Sequence, residues 1–189
     1  MIKDNFILKI DTKKLIKNYF FFKKNKKIIV APTIKANAYG LGDSKIFNLF
    51  KKIKVKHFFV ATLDEGISLN NKNKSIKIYV LNGIQNYNIN YFVQNNLTPI
   101  INTNSELKRI IKFKTNFGLH IDTGINRLGI KYENIPKNIY NNKYLKIIIS
   151  HLSSADEKNN KYNELQMNKF IKFKNHFINK NIIFSLSNS

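Results

Sequence analysis

One lysine in this chain stands between an apolar segment and a turn of small residues. The stretch Ile28–Gly42 reads IIVAPTIKANAYGLG, with Lys35 where the two parts meet. This pattern is typical of a β-strand that delivers an amine into a narrow corner. A partly desolvated lysine there loses its proton readily and forms a Schiff base with a carbonyl cofactor. An ordinary solvated lysine at a strand end fits the same spacing, because lysine is abundant throughout the chain.

Two later segments contain further candidate groups. His120–Gly129 reads HIDTGINRLG, and Ser150–Glu157 reads SHLSSADE. Arg127 carries a planar guanidinium, which recognises carboxylate or phosphate oxygens through paired hydrogen bonds. A surface salt bridge is the ordinary alternative for this arginine, and a structural hydrogen bond is the alternative for His151. The four histidines of the chain are not clustered, so we expect no metal site.

Short apolar runs alternate with amphipathic segments, which predicts parallel βα units in a doubly wound sheet or a barrel. Thr62 with Glu65, and Thr103 with Glu106, have the spacing of helix capping boxes, so we interpret Glu65 as charge at a helix N-terminus. A last helix is predicted over Lys161–Phe177. Its expected buried residues are Leu165, Phe170, Ile171 and Phe177. Strands are predicted near residues 27–34, 57–61, 76–81, 97–101, 117–122, 145–150 and 182–186.

The composition limits which classes of protein the chain can belong to. The 189 residues carry a formal charge of +22 with a pI near 10.0. Such charge favours binding to nucleic acid or an anionic surface, but an AT-rich genome would also enrich the Lys, Asn, Ile, Phe and Tyr seen here. The chain contains no cysteine. Its first residues show no apolar segment before a cleavage site, so we expect no secretion signal, and no apolar run approaches the ~18 residues of a membrane span. These features are compatible with a cytoplasmic protein.

Together the motifs resemble those of the alanine racemases. KANAYGLG is similar to the family's pyridoxal-phosphate lysine motif, and DTGINRLG is similar to its DTGxNRxG signature. SHLSSADE resembles the segment that follows, and Ser187–Ser189 resembles the start of a phosphate-binding motif. The resemblance implies a (β/α)8 TIM-type barrel, the family's N-terminal domain. Because such barrels need roughly 250 residues, we expect residues 1–189 to form a truncated pyridoxal-phosphate-binding barrel of about seven strands, without the family's C-terminal β domain.

The resemblance also implies site roles. Lys35 would hold pyridoxal 5'-phosphate and serve as one catalytic base. Tyr39 and Ser189 would contact the cofactor phosphate, and His151 would lie beside the pyridine ring. Arg127 would contact the cofactor's phenolic oxygen and the substrate carboxylate. The implied reaction interconverts L- and D-alanine for peptidoglycan synthesis in a cytoplasmic homodimer. Its second base, a tyrosine, belongs to the partner's C-terminal domain, so we do not expect these residues to suffice for turnover.

One departure from the family and two alternatives remain. Many family members carry a carbamylated lysine where this chain has His120, and histidine cannot form that carbamate. A non-catalytic pyridoxal-phosphate homeostasis protein of the same barrel fold would fit the short length, although such proteins lack the motif combination seen here. A basic nucleic-acid-binding protein is supported by charge alone. We expect an amino acid as the small-molecule ligand, and no membrane or specific nucleic-acid partner.

Overall fold

Seven parallel strands form a single sheet in the computed structural model, which describes residues 7–24, 27–177 and 181–187. Six strands follow one another in the order β1-β2-β3-β4-β6-β7, and β5 pairs with β4. The strands are β1 (His57–Val60), β2 (Lys77–Val80), β3 (Leu97–Ile101), β4 (Phe117–Asp122), β5 (Ile130–Lys131), β6 (Leu145–His151) and β7 (Ile183–Ser187).

Helices connect most of these strands. They are α1 (Thr12–Phe22), the short turn α2 (Lys35–Tyr39), α3 (Asp43–Lys52), α4 (Leu63–Ser68), α5 (Ile89–Gln94), α6 (Asn104–Ile111) and α7 (Lys161–Lys174), and short 3₁₀ turns cover Tyr132–Asn134 and Lys137–Ile139. The Thr62–Glu65 capping box of α4 is confirmed in full. In α6 only half of the predicted box forms, since Thr103 accepts from the Glu106 amide while the Glu106 carboxylate binds other amides.

Alternate residues of each strand point to opposite faces, and the two faces build two separate cores. Side chains such as Ile78, Ile101 and Ile148 pack outward against the helices. On the inner face, Tyr79, Ile100, Ile147 and Ile149 form a second cluster, flanked by Phe59, Leu81 and Ile183. Because inner side chains from β1 through β7 share one cluster, the sheet curls into an open half-barrel. The expected incomplete barrel fold is therefore confirmed.

The predicted strand at 27–34 is wrong in extent. Only Thr33 forms a parallel bridge, to Phe59 of β1. The Phe59 amide donates to the Pro32 carbonyl at 2.9 Å, but Pro32 has no N–H to continue the ladder. Ile28 and Ile29 remain about half exposed. A cleft of about 540 Å³ separates this segment from Ile183–Leu186 of β7. The pairing of β5 with β4 was not predicted, because a two-residue strand has no readable periodicity.

The predicted last helix is present but ends three residues earlier, at Lys174, and buries a different set of side chains. Leu165 and Ile171 are 46% and 45% exposed, whereas Phe170 is buried as expected. Phe177 lies beyond the helix and is partly buried. The other buried positions are Gln166 and Phe173. No helix within the described ranges is both long and apolar enough to cross a membrane.

Candidate functional site

Lys35 lies where the extended N-terminal segment meets the mouth of the curled sheet. Its side chain is half-buried. The Nζ atom lies 6.0 Å from the ring centroid of Tyr39, which is 60% exposed. The preceding residue, Ile34, is buried and donates its amide to the Phe59 carbonyl at 2.8 Å. Lys35 therefore emerges from a fixed backbone position at the C-terminal end of the parallel strands, where barrels place their active sites.

The turn that follows Lys35 is left-handed. Ala36, Asn37, Ala38 and Tyr39 have φ between 51° and 55°. Each such L-residue costs about 1–2 kcal/mol relative to the right-handed form, so surrounding contacts must hold the turn. Within it, the Gly40 amide donates to the Ala36 carbonyl at 3.2 Å, and Ala38 is buried. Strain of this kind clusters at functional sites, so the turn makes the surroundings of Lys35 a candidate site.

A loop with several internal hydrogen bonds connects β4 to β5 and contains Arg127. Asp122 Oδ1 accepts hydrogen bonds from the amides of Gly124 and Asn126, at 2.9 and 3.1 Å. Gly129 has φ of +107°, and a Cβ there would lie 2.8 Å from the Asp122 amide nitrogen. The loop thus closes tightly over the end of β4, and the Arg127 side chain is left exposed to solvent.

His120 is buried beneath this loop and is neutral. Its Nδ1 lies 2.9 Å from Asn102 Oδ1. The Asn102 amide donates both hydrogens, to the Leu81 and Ile100 carbonyls, so its oxygen must accept from His120 Nδ1–H. Burial, aided by the nearby His151 and Arg127 side chains and opposed by Asp122, lowers the pKa of His120 to about 4. Its Nε2 is consequently a lone-pair acceptor.

That Nε2 atom is buried with no hydrogen-bond partner among the described residues. A buried unpaired acceptor is costly, and it is a feature of sites that take up a polar group. Asn102 and His120 therefore join the candidate site. Sequence reasoning singled out His120 but missed Asn102, whose only signal was its place directly after the predicted strand near 97–101.

Helix α7 fixes the ends of β4 and β6 through a fully buried amide. Gln166 Nε2 donates to the His151 carbonyl at 3.0 Å and to Thr123 Oγ1 at 3.3 Å. Its Oε1 accepts from the Ser153 amide at 2.9 Å. Ser150 Oγ contacts Thr123 Oγ1 at 2.9 Å. These bonds join the loop that begins at Asp122 to the segment that begins at Ser150. Gln166 was not among the buried residues predicted for this helix.

The structure places two of the predicted site residues, Arg127 and His151, at the edge of the sheet where Lys35 also lies. Asp122 and His151 end β4 and β6, and Arg127 lies in the loop that follows β4. Ser189, together with the neighbouring Asn188, lies outside the described residues. Within the described part of the chain, no three His, Asp or Glu side chains form a group that could hold a metal ion.

The chemistry of this edge suits a small anionic ligand that bears a carbonyl group. It offers an amine at Lys35, an exposed guanidinium at Arg127, and the orphaned acceptor at His120 Nε2. The amine can attack a carbonyl, and the guanidinium can bind oxygens. The residues present therefore fit pyridoxal phosphate, which combines an aldehyde, ring polar atoms and a phosphate.

Comparison with known sequences identifies the family. A sequence model of the alanine racemase N-terminal domain matches residues 10–189. An alanine racemase from Rickettsia prowazekii is 37% identical over 174 residues, which are 86% of this chain and 43% of the relative. One from Rickettsia africae is 35% identical over 188 residues, which are 92% of this chain and 52% of the relative. The chain thus spans about half the length of the curated relatives it matches.

Solved structures share the fold. The alanine racemase from E. faecalis has a TM-score of 0.82 at 24% identity, covering 95% of this chain and 53% of that one. The alanine racemase from Bartonella henselae, solved with covalently bound pyridoxal phosphate, has a TM-score of 0.81 at 21% identity and covers 94% of this chain and 60% of that one. At these identities the similarity establishes the barrel fold alone.

Proposed function

The chain belongs to the alanine racemase family, by its match to the N-terminal domain over residues 10–189, and on that premise we propose that Lys35 holds pyridoxal 5'-phosphate covalently. The observation that carries this proposal is the position of Lys35. It stands between an anchored strand end and a strained left-handed turn, at the C-terminal mouth of a parallel sheet. Barrel enzymes build their active sites at this mouth.

The other polar groups take roles that their exposure and charge support. Tyr39, exposed beside Lys35, contacts the phosphate. Ser189, which lies outside the described residues, takes a second phosphate contact on the family resemblance alone. Arg127 binds the substrate carboxylate and the ring oxygen, since a guanidinium is suited to paired oxygen acceptors. His151 lies beside the ring. His120 Nε2 accepts a hydrogen bond from a donor such as Arg127, whose charge already acts on that imidazole.

The reaction that we propose for the complete protein is the interconversion of L- and D-alanine. When bound, the cofactor ring acts as an electron sink for the carbanion left after Cα is deprotonated. Once the substrate's amino group has displaced it from the aldehyde carbon, the free Lys35 amine would remove that proton from one face of the amino acid and could return it to the same face. Inversion requires a second proton donor on the opposite face. We therefore propose that this part of the chain catalyses Cα proton exchange, and that racemisation belongs to a homodimer of the complete protein.

The cellular role follows from the same premise. D-Alanine made by this route would supply peptidoglycan precursors in the cytoplasm. The relatives named as alanine racemases support the activity, and the absence of cysteine from the chain suits a reducing compartment.

Borohydride trapping tests the attachment to Lys35. The protein is mixed with pyridoxal phosphate, reduced, digested and mapped by mass spectrometry. We expect a pyridoxyl group on Lys35 and loss of the visible cofactor absorbance in Lys35→Ala. Lys45→Ala, which removes an exposed lysine of α3, controls for the loss of a positive charge nearby. Random labelling of surface lysines, unchanged by Lys35→Ala, would refute the proposal.

Deuterium exchange then separates catalysis from cofactor storage. Alanine is incubated with the loaded protein in D₂O, and the Cα deuterium content and the enantiomeric ratio are measured. Exchange that depends on Lys35 supports the racemase chemistry. Cofactor attachment at Lys35 without any exchange would instead favour a non-catalytic pyridoxal-phosphate carrier of the same fold.

A further inference from the structure

A single carboxylate connects the turn after Lys35 to the loop after β1. Glu65, on the first turn of α4, accepts a hydrogen bond at Oε1 from the Ala36 amide, at 2.8 Å. At Oε2 it accepts from the amides of Ala61 and Thr62, at 2.6 and 3.3 Å. The carboxylate therefore does more than cap its own helix, because its Oε1 atom accepts from Ala36, which lies 29 positions away in sequence.

The Ala36 amide is the first N–H of the left-handed turn. Ala36 has φ 51° and ψ 53°, and three more non-glycine residues with positive φ follow it. An alanine leaves this conformation unless something holds it. Hydrogen bonds to an ionised acceptor are about twice as strong as neutral ones, so the Glu65 carboxylate is well suited to hold the entry to this turn.

Lys35 lies directly between two anchored peptide groups. On one side, the Ile34 amide donates to Phe59 of β1 at 2.8 Å. On the other, the Ala36 amide donates to Glu65. From this arrangement we infer that Glu65 is a positioning residue for Lys35: its carboxylate stabilises the strained turn and so sets the direction in which the lysine side chain leaves the backbone. This inference rests on the proposed function of Lys35, but its structural part stands separately.

The chain contains a matched control for this arrangement. Glu106 of α6 accepts from the Ile84 and Gln85 amides, each at 2.8 Å, and from the Asn102 amide at 2.9 Å. Like Glu65, it joins the loop after the strand that precedes its helix to a segment earlier in the chain. None of the amides that Glu106 binds adjoins Lys35. Removing the Glu106 carboxylate therefore measures how much stability is lost when such a connection is broken elsewhere in the fold.

The experiment compares three variants. Two are the single substitutions Glu65→Gln and Glu106→Gln, and the third carries both Glu65→Gln and Ala36→Gly. Both oxygens of the Glu65 carboxylate accept from backbone amides. Glutamine has nearly the same size, but its N–H₂ group replaces one of these oxygens and cannot accept a hydrogen bond, so Glu65→Gln leaves at least one of the backbone amides without its acceptor. Hydrogen exchange measured by mass spectrometry reports on residues 35–40 without any cofactor. We expect exchange there to accelerate about tenfold or more in Glu65→Gln and to remain unchanged in Glu106→Gln.

The second measurement is the rate at which pyridoxal phosphate and borohydride label Lys35, relative to the other lysines of the same molecule. Misplacement of a reacting group reduces its advantage in rate, so Glu65→Gln should lower this ratio about tenfold. Glu106→Gln should lower stability but not the ratio. Adding Ala36→Gly to Glu65→Gln should restore much of the lost labelling ratio. Glycine adopts positive φ without the Cβ penalty, and Ala36 is exposed.

The outcomes separate the inference from the function it rests on. If wild-type Lys35 is not labelled preferentially, the proposed function fails, while hydrogen exchange still tests the hold of Glu65 on the turn. If Lys35 is labelled normally in wild type and equally well in Glu65→Gln, the inference is overturned. An equal fall in Glu106→Gln, or no recovery with Ala36→Gly, would also overturn it, since either result would show a general loss of structure.

Discussion

The buried neutral imidazole of His120 makes the stability of this protein depend on pH. In the unfolded chain a histidine has its ordinary pKa of 6.5, whereas burial lowers the pKa of His120 to about 4 in the folded state. Between these two values the unfolded state binds a proton that the folded state excludes. Stability contributed by the neutral ring is therefore complete above pH 6.5 and is lost as the pH falls toward 4.

The size of this loss follows from the two pKa values. Each pKa unit of difference is worth about 1.4 kcal/mol, so the full effect is about 3 kcal/mol by pH 4. At pH 5.0, His120 alone should lower the free energy of unfolding by about 2 kcal/mol relative to pH 7.5. That is a large fraction of the stability of an ordinary domain.

Urea denaturation followed by circular dichroism at pH 7.5 and 5.0 measures the effect. His120→Gln keeps an N–H₂ donor for Asn102 and cannot titrate, so its free energy of unfolding should fall by about 2 kcal/mol less than that of the wild type over this interval. His176→Gln, which removes an exposed histidine stacked on Tyr140, controls for the loss of any imidazole. The reasoning is refuted if His120→Gln and wild type lose the same stability between the two pH values.

Three further substitutions test the packing of the site and the core by urea denaturation. Gly83→Ala should destabilise by roughly 1–3 kcal/mol, because φ is +73° and a Cβ would overlap the Glu106 carboxylate; unchanged stability would contradict this overlap. Gln166→Leu should cost about 1–3 kcal/mol by leaving the Ser153 amide unpaired; a neutral result would show that the buried network is dispensable. Phe58→Ala, in the outer core at 0% exposure, should cost about 3–5 kcal/mol; a smaller cost would mean that the cavity collapses.

Local pattern predicted most of the sheet correctly. Six of the seven predicted strands are present, because buried parallel strands are short runs of apolar residues bounded by polar turns. The strand at 27–34 failed, since Pro32 has no N–H with which to continue the ladder to β1. The buried face of α7 was also misjudged. Gln166 is buried there because its amide binds the ends of two strands, and a polar side chain is invisible to an apolar-periodicity argument.

The sequence by itself determined the motifs, their order, the family and the amine most suited to carry a carbonyl cofactor. These depend on residue type and spacing, which are properties of the chain alone. Only the tertiary structure decided that Lys35 precedes a left-handed turn, that Glu65 reaches that turn, and that Asn102 orients His120 with its Nε2 unpaired. The contact of Glu65 with the turn and that of Asn102 with His120 each join residues from different βα units. The curl of the sheet and the register of its strands determine which residues meet in this way. A pattern of neighbouring residues in the sequence contains neither piece of information.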